Sequence, residues 1–423
     1  MHDSPSRAQL LQQPRAVWAV AFACVVAFMG IGLVDPILPA IARGLKASPS
    51  QVELLFTSYL LVTGLAMVVT GAVASWIGPK ATLLSGLFLI VVFASLAGSS
   101  STIAQVVGFR AGWGLGNALF IATALAVIVS AASGGIGGAI ILYEAALGLG
   151  IAVGPVVGGI LGGITWRGPF YGTAVLMSVA LLAILIWLPA TPRPALRVPV
   201  LAPIRALRHS GLRTVGLVAF LYNFGFFVLL AYTPFPLGLD AHGLGLVFFG
   251  WGVCVALSSV LIAPRLEAAF RTLRTVVAML VVLALILLLM GLMTQSRPAL
   301  IALVVVAGLF LGVNNTLITQ AVMRISPFER PVASAGYSFI RFMGGAIAPF
   351  LAGKLAERFG SHVPFYVAST SVLMAIVVIA WGRRQLAPAD QPMQAARADN
   401  SNLKVPGART TAGVVTGVLA ERD

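Results

Sequence analysis

The chain has 423 residues, 59% hydrophobic and 9% charged, with a net charge of +15. An ordinary soluble domain carries about 25% charged residues, and the apolar residues here come in long blocks, not in a 3.6-residue stripe. Those features exclude a soluble globular domain, and because the basic residues sit between and beyond the blocks, no nucleic-acid partner is expected.

About 20 apolar residues in a helix cross a hydrocarbon core of about 30 Å. Hydropathy and turn residues predict twelve such spans, at 16–40, 52–74, 81–98, 103–130, 139–163, 169–189, 214–239, 245–264, 275–294, 298–323, 334–353 and 363–382. The first block is too long for a signal peptide and contains Asp35, Pro36 and Pro39, so it reads as a retained span. With both termini inside, the inner segments carry most of the Lys and Arg, including Lys80, Arg193, Arg197, Arg205, Arg208 and Arg213. That asymmetry places both termini in the cytoplasm.

The longest internal connector, 191–213, holds five arginines and four prolines and divides the spans six and six. The predicted organisation is an N-terminal tail (1–15), a six-helix half (16–190), a basic linker (191–213), a second half (214–382) and a tail (383–423), disordered after Gln385 by its polar composition. A faint repeat supports two related halves: Gly112 and Gly116 match Gly308 and Gly312, and Gly154–Gly159 matches Ala348–Gly353. The fold class is an all-α membrane protein of two pseudo-symmetric six-helix halves, an arrangement that suits rocking around a midplane site. Cys24 and Cys254 have neither the number nor the spacing of a metal site or a disulfide framework.

Span 5 carries Gly148–Gly159, twelve residues with five glycines and one proline. Small residues let helix backbones approach in lipid. On a helical wheel Glu144, Gly148, Pro155 and Gly159 fall within about 60°, which predicts one packing seam bent at Pro155. Gly150, Gly154, Pro155, Gly158 and Gly159 also fit GxxxGPxxGG, and the stretch resembles the fifth-span motif of antiporters in the major facilitator superfamily. Arg110-Ala-Gly-Trp-Gly-Leu-Gly116 resembles that family's fourth-span motif, with Trp113 where Gln is usual. Gly71, Gly78 and Lys80 resemble its loop 2–3 motif, with Ser75 and Trp76 at positions the family fills with Asp and Arg. Asn314, Asn315 and the run Ser326–Arg341 are similar to a bacterial multidrug-resistance branch of the drug:proton antiporters. The resemblance implies a twelve-helix major facilitator fold, export by proton antiport and a bacterial plasma membrane.

Charges within spans cost at least ~2.5–3.5 kcal/mol at the helix centre, so they face a cavity or a partner. Asp35 and Arg110 lie at depths that differ by only ~3 Å, on spans that neighbour each other in the resembling fold. They are read as a coupling pair in which a proton or a cationic substrate competes for the carboxylate. Glu144, nearer the inner face, is read as a second proton site. Asn223 and Tyr222 of span 7, Asn314 and Asn315 of span 10 and Arg341 of span 11 are candidate cavity residues; Arg341 suits an acidic substrate. Glu53 is read as a carboxylate favouring the start of span 2. No GxxxxGK[ST] sequence is present and the four histidines fall in tails or loops. No enzymatic chemistry, metal or cofactor is expected; the drive is a proton gradient, and the partners are protons, a small-molecule substrate and the bilayer, acting on a monomer. The main functional expectation is efflux of small amphipathic compounds by alternating access. The alternative on the same fold is export of an endogenous metabolite such as a siderophore or a sugar.

Overall fold

The computed structural model describes residues 13–132, 135–189, 199–328 and 330–390, except the side chains of Ile31, 135–141, Glu144 and 330–331. Among these residues there is no strand, and twelve helices are long and apolar enough to cross a membrane. They run Arg15–Gly44, Pro49–Ile77, Pro79–Ser99, Ile103–Ala131, Ala145–Ile164, Gly168–Trp187, Ser210–Leu237, Ala241–Ala269, Thr272–Leu292, Arg297–Ile325, Val332–Phe359 and Val363–Trp381, named spans 1 to 12 below. The fifth belongs to a longer helix, Gly135–Ile164.

Local chemistry sets several helix ends. Span 2 begins with a capping box in which Gln51 N donates to Ser48 Oγ and Ser48 N to Gln51 Oε1, followed by Pro49 at the first helical position. Thr102 and Gln105 do the same for span 4. Spans 2 and 3 join at Gly78, whose φ of 92° and ψ of 155° suit only glycine.

Span 1 is longer than predicted and is broken. Its first helix ends at Gly32, a 3-10 turn covers Asp35–Ile37, and a second helix runs Leu38–Gly44. Pro36 and Pro39 cause the break: each lacks an N–H and crowds the carbonyl four residues earlier. Asp35 therefore sits at an unwound joint nine residues before the end of the span at Gly44, farther in than the predicted end at 40 implied. Span 7 has a comparable irregularity, a π turn at Val228–Tyr232 just before Pro234. Span 8 has another at Ser258–Ile262, just before Pro264.

The two halves share one packing plan. Spans 1 and 5, 2 and 4, 3 and 4, and 3 and 6 pack in the first half; 7 and 11, 8 and 10, 9 and 10, and 9 and 12 pack in the second. The halves meet along spans 2 and 11 and spans 5 and 8. The predicted Gly154–Gly159 and Ala348–Gly353 match holds in space, since Gly159 packs on span 8 and Gly353 on span 2. The glycine match of spans 4 and 10 does not. Gly308 meets the Trp251 carbonyl of span 8, while its counterpart on span 2 is met by Gly114, through the Tyr59 carbonyl; Gly112 and Gly116 face span 3.

The predicted single seam on span 5 is also corrected. A Cβ at Gly148 would meet nothing within 4 Å. Gly150, Gly154 and Gly158, spaced four apart, press instead on span 1 near Val25, Met29 and Leu33, and Gly32 returns the contact on the Pro155 ring. Gly159 presses on Ala241 and Gly245 of span 8. Four-residue spacing keeps three glycines on one face, while Gly159 is rotated about 100° from Gly158. Span 5 thus has two seams, one within its half and one across the halves.

The tail is ordered further than its composition suggests. Residues Arg383–Leu386 and Ala387–Asp390 form two short helical turns. Leu386 and Ala389 are buried, Arg324 donates to the Ala389 carbonyl, and Asp390 accepts from Leu273 N at the start of span 9. The tail from 391 and much of the linker, 190–198, lie outside the described residues.

Candidate functional site: a buried charge in each half

In the first half the joint of span 1 presents Asp35 among spans 5 and 8. Asp35 is 0% exposed, and neither carboxylate oxygen takes a hydrogen bond among the described residues. Arg110, on span 4, is near enough to interact with it electrostatically, but the two are not within 4.0 Å. Arg110 is held elsewhere. Its Nη2 donates to the Gly30 carbonyl at 2.9 Å, and its guanidinium lies 4.3 Å from the Tyr59 ring centre and 4.1 Å from that of Trp113. A guanidinium seated against two aromatic rings keeps favourable electrostatics without water. The two aromatic rings lie edge to face. Trp113, a departure from the usual fourth-span motif, is therefore the residue that seats Arg110. Tyr59 carried no sequence signal, since its partner lies on another helix.

The second half gathers four of the five candidate cavity residues. Arg341 Nε donates to Asn223 Oδ1 at 3.4 Å and Nη2 to Asn315 Oδ1 at 3.3 Å. Tyr222 donates its hydroxyl proton to the same Asn315 oxygen at 2.6 Å, and Asn223 Nδ2 donates to the Arg341 carbonyl at 2.9 Å. No described carboxylate lies within 4.0 Å of Arg341. Asn314 is separate: one residue along the helix it is rotated away, buried, and without a hydrogen bond to its side chain among the described residues.

Of the remaining predicted residues, Glu144 lies on the span 5 helix, but its side chain is outside the described residues. Lys80 of the loop 2–3 motif donates to the carbonyls of Leu188 and Leu185, at the C-terminal end of span 6, where a cation suits the helix dipole. Gly71 lies on the exposed side of span 2. Near the same face Arg324 pairs with Glu267 and donates to Thr272 Oγ1 at 3.2 Å. Gln320, with its amide turned, donates to Glu267 and takes no part in the Arg341 cluster.

Glu53 is the residue the sequence misplaced. It starts span 2 as expected, yet it is 0% exposed, and its carboxyl faces Gly353 of span 11 across the two halves. A lone Glu beside a helix start gives no sign of what will cover it.

A family model described as Major Facilitator Superfamily matches residues 20–261 and 215–417. The chain is 58% identical over 378 residues to the Multidrug efflux protein YfmO of Bacillus subtilis (strain 168), covering 89% of this chain and 96% of that protein. It is 24% identical over 372 residues to Multidrug resistance protein 1 of the same organism, covering 84% and 93%. In fold it is similar to a bacterial homologue of the human lysosomal transporter Spinster, solved inward-facing and unoccupied, with a TM-score of 0.69 at 12% identity over 92% of this chain and 100% of that one. Twelve spans in two related halves, a family match along nearly all of them and a full-length relative at this identity lead to one conclusion: the chain belongs to the Major Facilitator Superfamily.

Proposed function

We propose that this protein is a secondary exporter of small amphipathic compounds, a multidrug efflux transporter that exchanges its cargo for protons across a bacterial plasma membrane. Both termini lie in the cytoplasm, no covalent chemistry or cofactor takes part, and one chain suffices. The names of the two Bacillus subtilis relatives support the cargo class. The observation that carries the coupling is Asp35: a fully buried carboxylate without a hydrogen bond, at a joint that touches both halves, beside an arginine that does not pair with it. Burial favours the protonated form and a nearby cation the ionised one, so a small movement of Arg110 relative to Asp35 exchanges the two states. Glu144 is a second proton station towards the cytoplasm. Arg341 with Asn223, Asn315 and Tyr222 forms the facing wall of the cargo site. In this state the halves are closed on the face opposite the termini, by the seams of Gly159 and Gly353.

The test is dye uptake into inverted vesicles with an acidic lumen, comparing the parent with Asp35→Asn. Uptake that needs the gradient and is lost in the variant supports antiport through Asp35. Equal transport with and without the gradient overturns it. A folded parent that moves no dye but exports a siderophore or sugar restores the alternative cargo.

A further inference from the structure

The two seams between the halves are related by the internal repeat, yet their chemistry differs. In the span 5–8 seam, Gly159 meets backbone atoms, the Ala241 carbonyl and the Cα atoms of Gly245 and His242. In the span 2–11 seam, Gly353 stands 194 residues later and meets the Ser50 backbone and the Glu53 carboxyl. The equivalent of a bare helix backbone in one seam is an acid in the other.

Little around Glu53 compensates a negative charge: the Gly353 backbone N–H and the N-terminal end of span 2 bear on the carboxyl, but no described cation pairs with it. Neither oxygen forms a hydrogen bond of ordinary geometry among the described residues, and no described Lys, Arg or His lies within 4.0 Å. The titratable groups facing it are Glu357 of span 11 and Tyr232 of span 7. Glu357 is itself an anion, held by the Ser50 N–H at 3.1 Å and by Lys354 at 3.1 Å. Tyr232 spends its hydroxyl proton on the Ser361 carbonyl. Arg43, on the outer segment of span 1, is exposed. An ionised Glu53 in the closed seam would be a desolvated charge beside a second carboxylate, both unfavourable. A protonated Glu53 fits. Opening the seam would admit water and remove the penalty.

We propose that Glu53 is a proton-binding latch on the external gate: the span 2–11 seam closes over the protonated carboxyl and opens when the carboxyl ionises. The proton enters and leaves on the external face, so the latch makes turnover depend on external pH without adding to the transport stoichiometry. The proposal rests on the rocking of the two halves and on the orientation given above. It does not rest on the cargo or on Asp35.

The experiment uses the full chain in lipid nanodiscs without substrate, with Cys24→Ala and Cys254→Ser. Spin labels are placed at Arg43→Cys and His362→Cys, exposed positions beside the gate in opposite halves. Electron–electron distance measurements run from about pH 5 to about pH 9, spanning the range a buried carboxyl reaches. The parent is expected to show a short distance at low pH, with a wide population growing by up to about tenfold per pH unit, the limit for one proton. Glu53→Gln is expected to hold the short distance throughout, and Asp35→Asn to keep a pH-dependent opening of the seam that Glu53→Gln lacks, even if its midpoint moves. In acid-minus-alkaline infrared difference spectra, Glu53→Gln is expected to lose a protonated-carboxyl band. Glu53→Met, uncharged and of similar size, serves if the Gln variant does not fold. A parent whose distances ignore pH, or a Glu53→Gln variant that follows the parent's curve, overturns the latch. A pH response lost in Asp35→Asn but kept in Glu53→Gln also overturns it and leaves the coupling role of Asp35 standing.

Discussion

Gly154→Ala is the sharpest probe of how span 5 is held. A Cβ there would lie 2.7 Å from the Met29 carbonyl oxygen, while ordinary contact begins at 3.4 Å. The obstacle is backbone, which cannot rotate away, so the two helices must part by about 0.7 Å or bend. Overpacking of this kind costs about 1–3 kcal/mol, and Ala returns about 1 kcal/mol of helix propensity. The net loss is up to about 2 kcal/mol. Gly148 is an internal control on the same helix, because a Cβ there meets nothing within 4 Å and only the propensity gain remains. Thermal melting of the two purified variants in one detergent, with initial dye-transport rates in vesicles, makes the comparison. Gly154→Ala should melt below the parent and transport more slowly; Gly148→Ala should melt at or above the parent. If Gly154→Ala melts as high as Gly148→Ala, the backbone contact with span 1 is not a constraint and the reasoning fails.

Arg110→Lys retains the charge but loses the flat face between Tyr59 and Trp113, each contact worth up to about 2 kcal/mol when desolvated; transport should fall at least about tenfold at unchanged expression, and a normal rate would refute the aromatic seat. Arg341→Gln removes a cation with no described carboxylate within 4.0 Å, so efflux of anionic probes should weaken relative to cationic dyes, measured as a ratio of initial rates. Gly78→Ala forces a side chain into a positive-φ conformation and should cost about 1–3 kcal/mol in melting experiments. A chain ending at Gly382 should melt lower than one ending at Asp390, since it loses the buried Leu386, worth about 1.5–3 kcal/mol, together with the Asp390 bond to span 9.

The amino-acid sequence by itself determined the twelve spans and the six-plus-six division. Membrane insertion is a local, additive property of about 20 residues at a time, and the connectors carry their own turn chemistry. It also offered the four residues of the second-half cluster, because Asn, Tyr and Arg stand out inside apolar helices, but counted Asn314 with them, which the turn of the helix carries away. Several features needed the tertiary structure. Pro36 and Pro39 announce a disturbance, but only packing on spans 5 and 8 shows that Asp35 ends at a joint between the halves. The glycines of span 5 divide between two neighbours because the helix is gripped on two sides, a fact no single helical wheel contains. Arg110 and Asp35 match in depth, yet Tyr59 and Trp113 take the guanidinium, since depth says nothing of azimuth or of aromatic competitors. Glu53 reads as an ordinary helix-start acid until Gly353, 300 residues later, closes over it. A sequence reports what each helix carries and how far it reaches. Which buried charges meet, and which are left without a partner, is fixed by how the two halves close on each other.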